Sequence, residues 1–264
     1  MLNFEQIIES VQSSIMEVGE YQIIQQNSLL GLEIEDKGLN QLVSKVDVTS
    51  EKMLVNACTK AIPKATFITE ENTINQSKDS EYCWIIDPLD GTTNFLHGLE
   101  VFSISVALFK NGEPELAWVH CPKMNQTFFA QKGKGAFLNK SKISVSKIAT
   151  LEKSLLATGF PYYTFEEMQP YLNLLEEFMK GTHGLRRMGS AAIDLAYVAC
   201  GKFEGFFELN LSPWDVAAGA LLVTEAGGIM CDFKGGNDFV FGNSILASNF
   251  TIHPEFMETI QKHF

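Results

Sequence analysis

The stretch Trp84 to Phe95, WIIDPLDGTTNF, restricts what this chain can fold into more than any other segment. Tyr82 to Ile86 reads as a buried strand. Pro88 cannot donate to a ladder, so the spacing predicts that the strand stops at Asp87. Gly91-Thr92-Thr93-Asn94 then reads as the entrance of a helix. Two carboxylates, Asp87 and Asp90, stand at the top of the strand beside N–H groups that a helix start leaves unpaired and that attract anions. Carboxylates next to an anion site make electrostatic sense if cations lie between them, and oxygen-only ligands select hard ions such as Mg2+. The residue types alone leave a second reading open. Asp-Pro and Asp-Gly are turn formers, and the stretch serves equally as a plain strand-to-helix connection.

The surrounding pattern is that of mixed α and β structure. Phe4, Ile7, Ile8, Val11, Ile15 and Val18 share one helical face within residues 4 to 26. Asp47 is an N-cap candidate for a second helix that ends before Pro63. Phe67-Ile68-Thr69 reads as a short strand. From Val101 to Leu138 the apolar period becomes two, with a turn at Asn111-Gly112, which predicts an antiparallel meander. After residue 150 strands and helices alternate: a strand near Leu155, a helix from Phe165 to Lys180, and a helix after Gly189-Ser190. A strand at Phe203 to Glu208, a helix from Trp214, strands near Ile229 and Ser244, and a helix after His253-Pro254 complete the pattern. The expected fold is a layered α+β sandwich. Its lobe at 1–150 carries an antiparallel-rich sheet, its lobe at 151–264 a smaller mixed sheet, and the two form one compact catalytic unit.

Composition narrows the function classes. A formal charge of −12 argues against a broad grip on nucleic acid, and makes an anionic ligand awkward unless something positive intervenes. The five cysteines have no Cys-x-x-Cys spacing and the five histidines do not cluster, so neither a disulfide framework nor an imidazole metal site is signalled. No apolar run approaches the ~20 residues of a membrane span. The start MLNFEQIIES lacks the features of a secretory signal, and a cytoplasmic protein is expected.

Two further acidic segments bear on the first. Thr69-Glu70-Glu71-Asn72 places carboxylates at the end of a strand, where an exposed acidic loop is the plainer reading. In Ser212-Pro213-Trp214-Asp215 the aspartate falls in the first turn of an apolar helix, where it is also an ordinary favourable charge. Taken together, TEEN, WIIDPLDGTTNF and LRRMGSAAIDLAYVACGKFEGFFELNLSPWDVAAGALLVTEAGG resemble the inositol monophosphatase family of metal-dependent phosphatases, in the expected order from about Lys37 to Gly228.

That resemblance implies that Glu70, Asp87, the Leu89 carbonyl, Asp90 and Asp215 hold two or three Mg2+ ions, with Asp87 bridging two. It implies that Thr92, partnered by Asp47, orients the attacking water, and it counts Glu70 among the catalytic groups. Asp90, Gly91, Thr92, Ala191, Glu208 and Asp215 would face the substrate. Gly91 and Thr92 would offer N–H groups to phosphate; Ala191, through its backbone, and Glu208 would meet polyol hydroxyls. For Asp47 the helix cap, and for Glu208 a solvated strand-end charge, remain the alternatives. Lys37 matches a lysine near the third metal position, or is an exposed loop lysine. Arg186-Arg187 is left outside the site, as a dimer contact or structural pair. Where the family usually has Gly-Glu-Glu-Ser this chain has Thr-Glu-Glu-Asn, which keeps Glu70. Glu100 stands where the family often has proline.

The implied activity is Mg2+-dependent hydrolysis of inositol 1-monophosphate by a lithium-sensitive cytoplasmic homodimer. Related activities in the superfamily are the 3′(2′),5′-bisphosphate nucleotidase, histidinol-phosphatase and fructose-1,6-bisphosphatase reactions. A different class remains alongside, because some bacterial relatives act with the transcription machinery.

Overall fold

A computed structural model describes residues 3–29, 36–160 and 167–264, with 29 and 36–44 described in backbone alone. Two long helices, α1 (Phe4–Leu29) and α2 (Asp36–Ala61), precede a seven-stranded sheet. Its strands are β1 (Thr66–Thr69), β2 (Tyr82–Asp90), β3 (Ser103–Lys110), β4 (Glu113–Cys121), β5 (Gln126–Gln131), β6 (Gly135–Leu138) and β7 (Ser141–Lys142). They lie in sequence order; β1 and β2 are parallel and all later neighbours antiparallel. The short α3 (Thr92–Leu96) joins β2 to β3. A second, mixed sheet contains β8 (Leu155–Thr158), β9 (Gly184–Arg186), β10 (Gly205–Leu209), β11 (Ile229–Cys231) and β12 (Ser244–Ser248), in the order β11-β12-β10-β8-β9. Helices α4 (Met168–Gly181), α5 (Ala191–Ala199), α6 (Pro213–Glu225) and α7 (His253–Gln261) complete the described elements.

The alternation of side chains along each strand stacks these elements into five layers. Trp84, Ile86, Ile104, Val106 and Trp118 turn one face of the first sheet towards Val11 and Ile15 of α1 and Leu54 of α2. Cys83, Ile85, Ala107 and Phe109 turn the other face towards α5 and α6, whose alanine-rich surfaces also meet Ala157, Phe206 and Ala247 of the second sheet. Phe207 and Leu246, on the far face of that sheet, pack on Tyr171 and Phe178 of α4 and Phe256 of α7. The order is therefore helices, sheet, helices, sheet, helices, the α+β sandwich the pattern predicts. One apolar cluster runs from β2 to β12 through the central helices, so α5 and α6 are held from both sides. The five cysteines are free thiols. Among the described residues no helix is long and apolar enough to cross a membrane.

Several expectations need correction. Strand β2 does not stop at Ile86. Asp87 pairs with Ser105 and Asp90 with Ser103, and the register shifts between them. Pro88 lies in this bulge, where its missing N–H interrupts nothing. Asp47 is no helix cap, because α2 begins at Asp36 and carries Asp47 in its interior. Gly38 and Asn40 are weak helix formers and dilute the sequence signal for the first three turns of α2. Strand β9 was not expected. Helix α4 begins at Met168 among the described residues; the earlier part of the expected helix, Phe165 and Glu166, lies outside them, as does the side chain of Lys37.

Ile15 is fully buried between α1 and the first sheet. Replacing it with alanine is expected to cost ~2–5 kcal/mol in a urea unfolding experiment. A loss below ~1 kcal/mol would contradict the layer assignment.

Candidate active site

The β2 bulge, the end of β1 and the first turns of α5 and α6 meet at one edge of the central layer. Asp87, Asp90 and Asp215 each present an oxygen to the same point, all within 4.8 Å of one another. Local structure fixes each. The N–H of Leu89 donates to Asp87 Oδ1 at 2.9 Å. Asp90 Oδ2 accepts from Ser190 Oγ at 2.6 Å and from the N–H of Ala192 at 2.8 Å, which ties the bulge to the start of α5. Asp215 lies in the first turn of α6, where its Oδ2 accepts from the N–H of Ser212 at 2.7 Å. The Ser105 hydroxyl donates to the Trp214 carbonyl at 3.0 Å and links β3 to the same turn. Asp215 is thus both the favourable N-terminal charge of its helix and a member of the cluster.

Glu70 follows β1, its N–H directed at the Ile86 carbonyl at 3.3 Å, and its carboxyl sits close enough to Asp87 for each to shift the other. Glu51 of α2, fully buried, holds this loop from behind by accepting from the N–H groups of Glu71 and Thr73, both at 2.7 Å. The Leu89 carbonyl accepts from the Thr92 hydroxyl at 3.1 Å. Gly91 has φ +94, and a Cβ there would lie 2.9 Å from the Val101 carbonyl, so the turn into α3 requires glycine. Asn94 donates to the carbonyls of Val101 at 2.7 Å and Met188 at 2.9 Å, drawing α3 towards the loop before α5.

Burial and mutual repulsion dominate the electrostatics. Burial first, then neighbouring carboxylates, pushes Asp215 up to about 7. Glu70 is raised to about 7 by burial, against the hydrogen bond to Asp87. Asp90 rises only to about 6, because the Ser190 hydroxyl and the α5 N–H groups oppose burial. Asp87 is driven up by burial and then by Glu70, Asp90 and Asp215. The ion pairs Lys132–Glu113, Lys180–Glu176, Lys262 with Glu177 and Glu258, and His263 with Glu177 lie elsewhere. Four carboxyl groups brought this close, all offering oxygen, fit a hard divalent cation.

Beside the cluster is a cavity of about 170 Å³ lined by Asp90, Gly159, Arg187, Ala191, Glu208 and Asp215. A larger groove of about 710 Å³ lies between α1 and α2 and contains none of these groups. Glu208 is no solvated strand-end charge: burial, then Asp215 and Asp90, pushes it up to about 8. Gly159 leaves the space it occupies, since a Cβ there would overlap the Glu208 carboxyl. Ala191 is buried at the start of α5 with its N–H directed at Asp90.

Asp47 is buried in α2, and its Oδ1 has no hydrogen-bond partner among the described residues. Burial, then Glu71 and Glu70, raises it to about 8. The expected bond between Asp47 and Thr92 is not formed here, because the threonine hydroxyl faces Leu89 instead. Two cavity residues were not read from the sequence. Arg187 lines the cavity and opposes the raised values of Asp90, Asp194 and Glu208, in contrast to the role outside the site expected for it. Asp194 is buried within the otherwise apolar helix AAIDLAYVA, and that single acid among apolar neighbours was the available signal.

A partly buried oxygen-donor cluster with an adjoining polar cavity, set on a five-layered α+β sandwich, has donor chemistry that fits a hard cation. Residues 6–264 match the model of the inositol monophosphatase family, and the chain belongs to that family. It is 42% identical over 245 residues to the putative Nus factor SuhB of Neisseria meningitidis serogroup B, covering 93% of this chain and 94% of that protein. The crystal structure of the extragenic suppressor protein suhB from Bartonella henselae superposes with a TM-score of 0.88 at 36% identity, over 98% of this chain and 100% of the other. The inositol monophosphatase from Anabaena gives 0.85 at 32% identity, over 98% and 97%.

Without cations, the folded chain keeps protons on these carboxyls at pH values where the unfolded chain, with ordinary values of 3.8 for Asp and 4.5 for Glu, has released them. This contribution to stability is fully present below about pH 4 and is lost as pH rises through about 7. The melting temperature of cation-free protein is expected to fall between pH 5 and pH 8, and Mn2+ to restore more of it at pH 8 than at pH 5. A cation-free melting temperature that rises over this interval would contradict the buried-cluster account.

Proposed function

We propose that this chain is a Mg2+-dependent phosphomonoesterase acting on a small phosphorylated polyol, with inositol 1-monophosphate as the reference substrate. The observation that carries this reading is the convergence of Asp87, Asp90 and Asp215 within 4.8 Å beside a cavity containing Glu208. The family and the inositol monophosphatase from Anabaena support the substrate class.

In this reading Asp87, Asp90, Asp215, Glu70 and the Leu89 carbonyl hold two or three Mg2+ ions. When bound, such ions supply a nucleophilic water at neutral pH and neutralise charge on the phosphoryl group and leaving oxygen. The remaining work belongs to the chain. Gly91 and Thr92 direct N–H groups at phosphoryl oxygens. The Thr92 hydroxyl turns from Leu89 to orient the attacking water and passes a proton towards Asp47 in its ionised form, whose buried Oδ1 lacks another partner among the described residues. Ala191 and Glu208 receive the polyol hydroxyls. The substrate's negative charge is thereby reconciled with a chain of net charge −12. Inhibition by Li+ at a carboxylate-lined position, a cytoplasmic location and a homodimeric state belong to the same reading.

A second reading, action with the transcription machinery, is favoured by the Nus-factor name of the Neisseria relative. The acidic charge points to a protein rather than a nucleic-acid partner.

Phosphate release from inositol 1-phosphate, 3′-phosphoadenosine 5′-phosphate, histidinol phosphate and fructose 1,6-bisphosphate, with and without Mg2+, tests the first reading. The inositol ester is expected to give the highest kcat/KM and to require Mg2+; a wide preference for the adenosine bisphosphate would overturn the assignment. Asp215→Asn and Asp90→Asn are expected to lose turnover by orders of magnitude while remaining folded, and near wild-type rates in either would refute the site. Asp90→Asn also separates the two readings. If it is inert as a phosphatase yet restores growth to a deletion strain, the regulatory role is the one under selection.

A further inference from the structure

Gln22 and Gln26 lie one turn apart on α1, and both are buried among the apolar residues of that helix. Their side-chain amides reach out of the helix layer to the segment that carries the candidate cation ligands. Gln22 Nε2 donates to the Pro88 carbonyl at 2.7 Å and to Ser50 Oγ of α2 at 3.2 Å. Gln26 Nε2 donates to the carbonyls of Phe95 and Leu99, each at 3.1 Å. One face of α1 thus grips the loop near both ends, before Leu89 and after α3.

The Pro88 contact is the more consequential. Pro88 sits in the β2 bulge, between the Asp87–Ser105 and Asp90–Ser103 pairs, where the ladder gives its carbonyl no strand partner. The next N–H, that of Leu89, donates to Asp87 Oδ1. The Pro88–Leu89 peptide is therefore held at both edges, its carbonyl by Gln22 and its N–H by a cluster carboxylate. Turning that peptide would shift the Asp87 carboxylate and the Leu89 carbonyl together. The two glutamine Oε1 atoms are buried without a hydrogen-bond partner among the described residues. A buried amide oxygen left unmatched is a cost to folding that an apolar side chain would avoid, so packing alone does not explain these residues.

We propose that Gln22 is a positioning residue for cation binding. It sets the orientation of the Pro88–Leu89 peptide and so aims Asp87 and the Leu89 carbonyl, while Gln26 anchors the far end of the loop. This rests on the reading above that these groups hold divalent cations.

Titration calorimetry with Mn2+ on the full-length protein tests it, using wild type, Gln22→Met, Gln22→Asn and, as a purely packing lesion of the same helix, Ile15→Ala. Gln22→Met keeps the volume and removes the donor; Gln22→Asn keeps an amide but shortens its reach. Both are expected to bind Mn2+ ~10–100-fold more weakly than wild type. Ile15→Ala is expected to lose stability and keep its Mn2+ affinity. In phosphate release at saturating Mg2+, the Gln22 variants should lower kcat and leave the ester KM unchanged. A folded Gln22→Met with Mn2+ affinity within twofold of wild type overturns the proposal, as does an equal loss of affinity in Ile15→Ala. If Gln22→Met does not fold, Gln22→Asn decides by the same criterion; if neither folds, Gln22 is a structural residue and the proposal fails. Wild type that takes up no Mn2+ overturns the cation-site reading itself, an outcome distinct from variants that bind as well as wild type.

Discussion

Carboxylates buried side by side repel one another, and the low local dielectric magnifies the repulsion. Asp87, Asp90, Asp215 and Glu70 are nevertheless brought together, and the surrounding architecture is organised to keep them so. Three of them are restrained by hydrogen bonds from neighbouring groups: Leu89 N–H for Asp87, Ser190 and Ala192 for Asp90, Ser212 for Asp215. A cluster held this way is poised for positive charge from outside the chain. The strain is local and electrostatic, and the layers around it are conventional apolar cores.

The layered fold makes the restraint possible. Helices α5 and α6 are packed on both sides by sheets, so their first turns are fixed in position relative to the β2 bulge. Small side chains on these helices let the sheets approach closely enough for a strand-end carboxylate and two helix starts to share one point. On the opposite side, α1 and α2 contribute buried polar side chains as well as apolar ones. Glu51 holds the Glu70 loop and Gln22 the Pro88 carbonyl, so the layer that stabilises the sheet also fixes the shape of the edge that carries the cluster.

Much of this was legible in the chain. The 3.6-residue period of α1, the period-two run after Val101 and the alternation beyond residue 150 report burial directly, because a side chain's face follows from its position along a regular element. What escaped reading were the places where a regular element is bent or a polar group is buried. Pro88 signals a strand end by its chemistry, yet the strand continues through a bulge. Asp47 has the chemistry of a cap, yet lies inside a helix. Arg187 and Asp194 enter the cavity because β9 pairs with β8 at the edge of the second sheet and α5 packs between the two sheets, a relation between segments far apart in sequence.

The sequence by itself determined most element types, the apolar faces and the oxygen-donor character of the acidic motifs, since these depend on residue type and local spacing. Only the tertiary structure decided that Asp215 meets Asp87 and Asp90, that Glu208 stands half-buried in the cavity beside them in space left by Gly159, and that the Thr92 hydroxyl faces Leu89 and not Asp47. Those are distances between elements, and they are set by how side chains of different segments fill the space between two sheets.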